Sequence, residues 1–130
     1  MAGIFHLAIP CRDVEEAARF YEQAIGARVA RRYDDRVTLD FFGHQVVCHL
    51  APAKIDPEPA LYPRHFGFTF TDRQRYHEFM GALAEREVPF FRSPFSRFKG
   101  KTEEHETFFL KDPSNNLLEF KFYYDSSMIY

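Results

Sequence analysis

Three histidines and one glutamate stand in this sequence where their side chains could meet and bind a metal ion. His6 and His65 lie in the short alternating runs FHLAIP and RHFGFTF, and Glu119 lies in NLLEFKF. Successive side chains of a strand point to opposite faces, so each of these residues faces away from its large apolar neighbours. His49 lies in a fourth run and shares its face with Val47. The expected metal ligands are therefore His6, His49, His65 and Glu119.

The chemistry of this set favours a divalent transition metal. Imidazole and carboxylate ligands suit Fe, Zn, Ni, Co or Mn, whereas Mg and Ca prefer oxygen ligands alone. An ion held by three or four side chains keeps positions open for two adjacent oxygens of a substrate and acts as a Lewis acid. Glu119 and His49 are the candidates for moving a proton. Fe(II) held by two histidines and a carboxylate would also admit O₂.

The residues around these candidates predict two similar modules. In the first, a strand at 5–10 leads to a helix that Asp13 caps and that Gly26 ends, with Glu16 at the capping-box spacing. Three strands follow at 28–33, 37–42 and 45–50, and Gly43-His44 is the predicted turn between the last two.

The second module follows a connector at 51–63 that contains four prolines and so cannot form regular structure. A strand at 64–70 leads to a helix capped by Asp72. The remaining predicted strands are 89–92, 106–111 and 116–123, with a tight turn at 112–115. The stretch 92–106 is predicted to be a solvated loop, with His105 facing solvent. Lys121 shares a face with Glu119, which it could orient, or it could receive an acidic group of the substrate.

An internal duplication accounts for this order of elements. Overlaying His6 on His65 brings Asp13 onto Asp72 and Phe20 onto Phe79. We therefore predict an α+β fold in which two βαβββ modules form a cup of curved mixed sheets. The chain is one domain, residues 1–130, with module one at 4–50 and module two at 64–123. In each module one candidate ligand lies on the opening strand and one on the closing strand, so we expect His49 and Glu119 at equivalent places.

Composition excludes several other classes of function. Hydrophobic residues make up 45% of the chain and charged residues 28%, which is typical of a globular domain. A net charge of −2 gives no electrostatic surface for nucleic acid. No apolar run reaches the length of a membrane span, and no signal peptide is recognisable. The two cysteines lack a metal or redox spacing, so we expect a cytoplasmic protein with free thiols.

The sequence resembles the vicinal-oxygen-chelate superfamily, which includes glyoxalase I, fosfomycin-resistance transferases, methylmalonyl-CoA epimerase, bleomycin-resistance proteins and extradiol dioxygenases. The segments that carry the resemblance are FHLAIPCRDVEEAARFYEQAIG, RHFGFTF and FFLKDPSNNLLEF. The resemblance implies that His6, His65 and Glu119 are the shared metal ligands. His49 falls where glyoxalase I has a glutamate, so it is either a fourth ligand or an acid–base group.

The resemblance implies a metal-dependent enzyme that binds two adjacent oxygens of a small substrate, as a glyoxalase-like lyase or an extradiol-type dioxygenase. It also implies a homodimer, whose site is formed within one chain or shared between two. The alternative is a metal-independent protein that binds a drug or antibiotic and confers resistance to it.

Overall fold

The computed structural model describes all 130 residues of the chain, which fall into two compact units. The first comprises Met1–Pro59 together with Asp112–Asn116, and the second comprises Ala60–Lys111 together with Leu117–Tyr130. Each unit contains one four-stranded sheet, one longer helical segment and one short 3-10 helix, Pro52–Lys54 in the first and Ser126–Ile129 in the second. The predicted α+β class and the repeated βαβββ order are therefore confirmed. Pro52–Lys54 lies in the connector, so the prediction that the whole connector lacks regular structure is wrong for these three residues.

The first sheet has the strand order β1-β4-β3-β2. Strand β1 runs parallel to β4, and the other neighbouring strands are antiparallel. Residues Val37, Leu39 and Phe41 of the third strand are buried against the helical side. The bounds are β1 His6–Cys11, β2 Arg28–Arg32, β3 Arg36–Phe41 and β4 His44–Leu50.

The helical segment of this unit begins as the sequence predicts. The side chain of Asp13 accepts a hydrogen bond from the backbone N–H of Glu16 at 2.8 Å and caps helix α1, Val14–Arg19. The helix continues as a π-helical segment, Phe20–Ile25, and ends at Gly26 with a left-handed φ of 87°. Alternating strand residues and one helical face thus form the apolar core of the unit.

A buried carboxylate, Asp112, organises the segment that joins this unit from far along the chain. Asp112 is 3% exposed and accepts hydrogen bonds from the Tyr21 hydroxyl at 2.7 Å, from the Ser114 backbone N–H at 2.8 Å and from both nitrogens of Asn116. Burial raises the pKa of Asp112, while these donors act in the opposite direction. The predicted tight turn is confirmed, and it is tied to the first unit.

The second sheet repeats the first, with the order β5-β8-β7-β6. Strand β5 runs parallel to β8, and the remaining pairs are antiparallel. Asp72 caps helix α2, Arg73–Glu85, by accepting from the backbone of Gln74 at 2.8 Å. Rings of the helix pack on rings of the sheet, as Phe79 does on Phe120 at 4.7 Å between centroids. The bounds are β5 Phe66–Phe70, β6 Arg92–Arg97, β7 His105–Lys111 and β8 Leu117–Tyr123.

The predictions for the sixth strand and for the loop after it are wrong. Strand β6 lies within the stretch predicted as loop, and it pairs with β7 with a register shift between Arg92 and Phe95. Pro94 lies at that shift, in an edge strand, where the missing N–H is tolerated. His105 begins β7 and is 5% exposed, with its ring 4.5 Å from that of Tyr123. It is therefore buried rather than solvent-facing.

Two smaller differences concern the ends of strands. The turn between β3 and β4 is centred on Phe42 and Gly43, whose φ values of 52° and 92° match a tight hairpin, rather than on Gly43 and His44. His65 comes immediately before β5 and is not a strand residue. Separately, none of the helices has the length and apolar character required to cross a membrane.

Replacing Asp112 tests how far the buried carboxylate stabilises the first unit. We expect Asp112→Asn to lower the free energy of unfolding by about 3 kcal/mol, because an amide presents N–H groups to donors that now face an oxygen. Tyr21→Phe removes one donor and should cost about 1.5 kcal/mol. Urea unfolding at pH 7 measures both, with the exposed Asp34→Asn as the control. Equal stabilities of all three variants would contradict this role.

Candidate metal centre

Two of the candidate ligands, His65 and Glu119, contact each other in the second unit. The Nε2 atom of His65 lies 3.2 Å from Oε1 of Glu119. The side chain of Glu119 is 8% exposed and that of His65 is 21% exposed, so the pair is largely removed from water. Glu119 is in the middle of β8, and its face of the sheet is the one opposite the helix.

His65 is oriented by the chain that precedes it. Its Nδ1 atom lies 2.6 Å from the carbonyl oxygen of Leu61, an acceptor to which Nδ1 can only donate. The ring also contacts Tyr62 and Phe109 edge-on, with centroids 5.5 and 5.6 Å away. These contacts fix the ring so that Nε2 is the nitrogen directed at Glu119.

Glu119 is held by a neighbour on the adjacent strand. The hydroxyl of Thr107 donates to Oε2 of Glu119 at 2.7 Å, and Thr107 is fully buried. The other carboxylate oxygen, Oε1, faces both His65 and the Nζ atom of Lys121, which is 3.7 Å away. One oxygen of the carboxylate is thus bound by the protein, and the other is available to a ligand.

Gly67 allows β5 to come close enough for this arrangement. It pairs with Glu119 in the parallel register, and a Cβ built on it would overlap the backbone carbonyl oxygen of Glu119. A backbone group cannot move aside as a flexible side chain can. Glycine is therefore required here by the close approach of two backbones.

The His65–Glu119 pair fits a transition metal. Because Nδ1 of His65 donates to a carbonyl, Nε2 is the ring nitrogen that can bind an ion, and it lies beside a carboxylate oxygen that can bind the same ion. A separation of 3.2 Å is what two donor atoms about 2.1 Å from one ion can have. Histidines that bind metals usually donate their other ring N–H to a carbonyl or carboxylate, and carboxylates that bind metals usually accept further hydrogen bonds. His65 and Glu119 have partners of these kinds in Leu61 and Thr107.

In the first unit His6 and His49 lie apart along the sheet. Both are exposed, His6 on β1 and His49 on β4. The register pairs His6 with Gln45, whereas His49 pairs with Pro10, four residues further along. Neither unit by itself brings three or more His, Cys, Asp or Glu side chains together in a way that could hold an ion.

The register also corrects the expected symmetry of the two modules. Gly67 pairs with Glu119 in the second sheet, and the equivalent Ala8 pairs with Val47 in the first. Val47 therefore stands where Glu119 stands, and His49 corresponds to Lys121. The expectation that His49 and Glu119 occupy equivalent positions is wrong. In the pairing of β4 with β1, the position equivalent to Glu119 lies two residues before His49.

Sequence reasoning did not identify the residues that hold the pair in place. Thr107 was predicted only as part of a strand, and Leu61 only as part of the proline-rich connector. The alternation of β7 was a usable signal for Thr107, because that residue shares a face with Phe109 and pairs with Lys121 beside Glu119. The carbonyl of Leu61 left no signal, since any residue supplies one.

Two repeated βαβββ modules define the fold, and the second carries a histidine–glutamate pair on the face of its sheet opposite the helix. The model of the Glyoxalase/Bleomycin resistance protein/Dioxygenase superfamily matches residues 3–120. The chain belongs to this family, which is the vicinal-oxygen-chelate superfamily that its sequence resembles.

Solved structures agree with this assignment. The chain is similar to a glyoxalase/bleomycin resistance protein/dioxygenase from Alicyclobacillus acidocaldarius, with 54% identity, coverage of 98% of this chain and 96% of that one, and a TM-score of 0.95. A lactoylglutathione lyase from Agrobacterium tumefaciens has 18% identity, 94% coverage of both chains and a TM-score of 0.70. The fosfomycin resistance protein FosX from Listeria monocytogenes has 14% identity, coverage of 94% and 93%, and a TM-score of 0.72. The last two share the fold.

Substitution of Gly67 tests the close approach of β5 and β8. We expect Gly67→Ala to destabilise the protein by about 3 kcal/mol, because the added methyl group forces two paired backbones apart. Gly81→Ala is the matched control, since a Cβ there meets nothing within 4 Å and lies in helix α2. The control should be stabilised by up to about 1 kcal/mol. Urea unfolding compares them, and similar stability of the two variants would contradict the argument.

Proposed function

We propose that this protein is a metal-dependent enzyme of its superfamily, which acts on a small substrate that carries two adjacent oxygens. The observation that carries the proposal is the contact of 3.2 Å between Nε2 of His65 and Oε1 of Glu119. The carbonyl of Leu61 orients His65, and the hydroxyl of Thr107 orients Glu119. Both side chains are largely removed from water. A lyase of the glyoxalase type and a dioxygenase of the extradiol type are the two reactions such a site serves.

The proposed ligands are His65 and Glu119, completed by His6. The ion would be Fe, Zn, Ni, Co or Mn, because imidazoles and one carboxylate suit these metals. When bound, such an ion polarises the oxygens of the substrate as a Lewis acid. His6 is available for this role because its side chain is exposed on β1. In a homodimer it can come from the same chain or from a second copy.

The residues of the chain have separate tasks in this proposal. Thr107 keeps one oxygen of Glu119 occupied, so the carboxylate offers the other. Leu61 holds His65 in the tautomer whose Nε2 is free to bind. We assign His49 to proton transfer rather than to metal binding, because the register places Val47, and not His49, at the position equivalent to Glu119. Glu119 remains the alternative base. The proposed setting is cytoplasmic, with a small-molecule substrate as the partner.

Metal content tests the proposal directly. Purified protein should carry about one transition-metal ion per chain, measured by inductively coupled plasma mass spectrometry. His65→Ala and Glu119→Ala should lose it, and His6→Ala should weaken binding by at least tenfold, about the effect of removing one ligand. His77→Ala is the control, because His77 is exposed on helix α2.

Wild-type protein that binds no metal would overturn the proposal. In that case the contact between His65 and Glu119 is an ordinary ion pair, and the remaining candidate function is metal-independent binding of a drug or metabolite. The identity of a bound ion separates the two reactions. Fe(II) with O₂ uptake in the presence of a catechol indicates the dioxygenase, whereas Ni, Co or Zn with consumption of a glutathione–methylglyoxal hemithioacetal indicates the lyase.

Substitution of His49 tests its assignment to proton transfer. We expect His49→Gln to keep the metal content of the wild type and to lower turnover about 100-fold, as removal of a general acid–base group does. The control is His44→Gln, at the start of the same strand, which should alter neither. If His49→Gln loses the metal, His49 is a ligand and the assignment is wrong.

A further inference from the structure

We propose that the substrate of this site carries an anionic oxygen group, such as a carboxylate or a phosphate, and that Lys121 binds it with help from Arg97. This inference rests on the proposed function, since it concerns the charge that remains when Glu119 binds an ion. It names the chemical class of the substrate, which the fold by itself leaves open.

Lys121 lies beside the candidate metal ligands. Its Nζ atom lies 3.7 Å from Oε1 of Glu119 and 5.4 Å from the centre of the Tyr123 ring, and its side chain is 29% exposed. Lys121 lies two residues after Glu119 on β8 and so points to the same open face of the sheet. The ammonium group is therefore partly withdrawn from water beside the candidate ligands.

Glu119 balances the charge of Lys121 through one oxygen atom, Oε1. Its Oε2 atom is occupied by Thr107, so Oε1 alone faces both Nε2 of His65 and Nζ of Lys121. An ion bound at Oε1 would take the negative charge that now balances Lys121. One carboxylate would then face a divalent cation and an ammonium group. A charge that is partly buried requires a partner, and an anionic group of the substrate supplies one.

Arg97 provides a second cation on the same face. It pairs with His105 in the register between β6 and β7 and is half-buried. Its guanidinium donates to the hydroxyl of Tyr62, a neutral partner, and lies 5.8 Å from the centre of that ring. Tyr62 in turn contacts His65. Lys121 thus contacts Glu119 directly, whereas Arg97 is connected to His65 through the ring of Tyr62, and only Lys121 has a carboxylate partner.

An alternative role for Lys121 is to orient Glu119 by a simple ion pair. The two roles differ in what the metal does. If Lys121 only positions the carboxylate, replacing it lowers the affinity for metal. If Lys121 binds an anion, replacing it leaves the affinity for metal unchanged or raises it, because a neighbouring positive charge is removed. Metal affinity and anion affinity therefore have to be measured on the same variants.

Calorimetric titration of metal-loaded protein with inorganic phosphate tests the inference. We expect Lys121→Met to weaken phosphate binding at least tenfold, as loss of one charge-assisted hydrogen bond does. Lys121→Arg should stay within about threefold of the wild type, because the charge is kept. Arg97→Met should cause a smaller loss than Lys121→Met. The control is Lys54→Met, at an exposed lysine of the first unit, which should bind phosphate like the wild type.

The outcomes separate the inference from the proposed function. Metal-loaded wild-type protein that ignores phosphate, or Lys121→Met that binds it normally, overturns the inference and leaves the metal site intact. Loss of metal from Lys121→Met shows a positioning role and also overturns it. Wild-type protein that takes up no metal overturns the proposed function and the inference together. Tenfold weaker phosphate binding with unchanged metal content, restored by arginine, supports both.

Discussion

A buried carboxylate that must have its charge balanced determines the arrangement of the second module. Glu119 is 7% exposed in the middle of a sheet, where an uncompensated charge is costly. The hydroxyl of Thr107 donates to one of its oxygens, and the imidazole of His65 and the ammonium group of Lys121 lie near the other. Gly67 makes room for the backbone on which the carboxylate sits. The same features that make Glu119 tolerable in the fold leave one of its oxygens ready to bind an ion.

The two modules share a scaffold but differ in chemistry. In both sheets the opening strand runs parallel to the closing strand in the same register, and the helix covers one face. At the place of Glu119, however, the first module has Val47. Asp112, the buried carboxylate of the first unit, is surrounded by donors from the protein and has no oxygen left for a ligand. One buried acid thus stabilises the fold, and the other offers a coordination position.

Much of this fold could be predicted from local patterns in the sequence. Asp13 and Asp72 marked both helix starts, and the alternation of Phe66, Phe68 and Phe70 marked the half-buried side of β5, where Phe70 packs on Tyr76 and Phe79 of helix α2. Strand β6 could not be predicted, because it contains a proline and two arginines and pairs with β7 alone. The site could be predicted only in part. Residue type identified His65 and Glu119, but register, which depends on pairing between distant segments, decided that His49 does not correspond to Glu119.

The central claim is that His65 and Glu119 bind one metal ion, and anomalous diffraction from crystals of the metal-loaded protein tests it most directly. The account predicts a single anomalous peak about 2.0–2.2 Å from both Nε2 of His65 and Oε1 of Glu119. The same map shows whether His6 reaches that peak from the same chain or from a second copy. A map with no peak at the pair, in which Oε1 keeps only His65 and Lys121 as neighbours, would contradict the account.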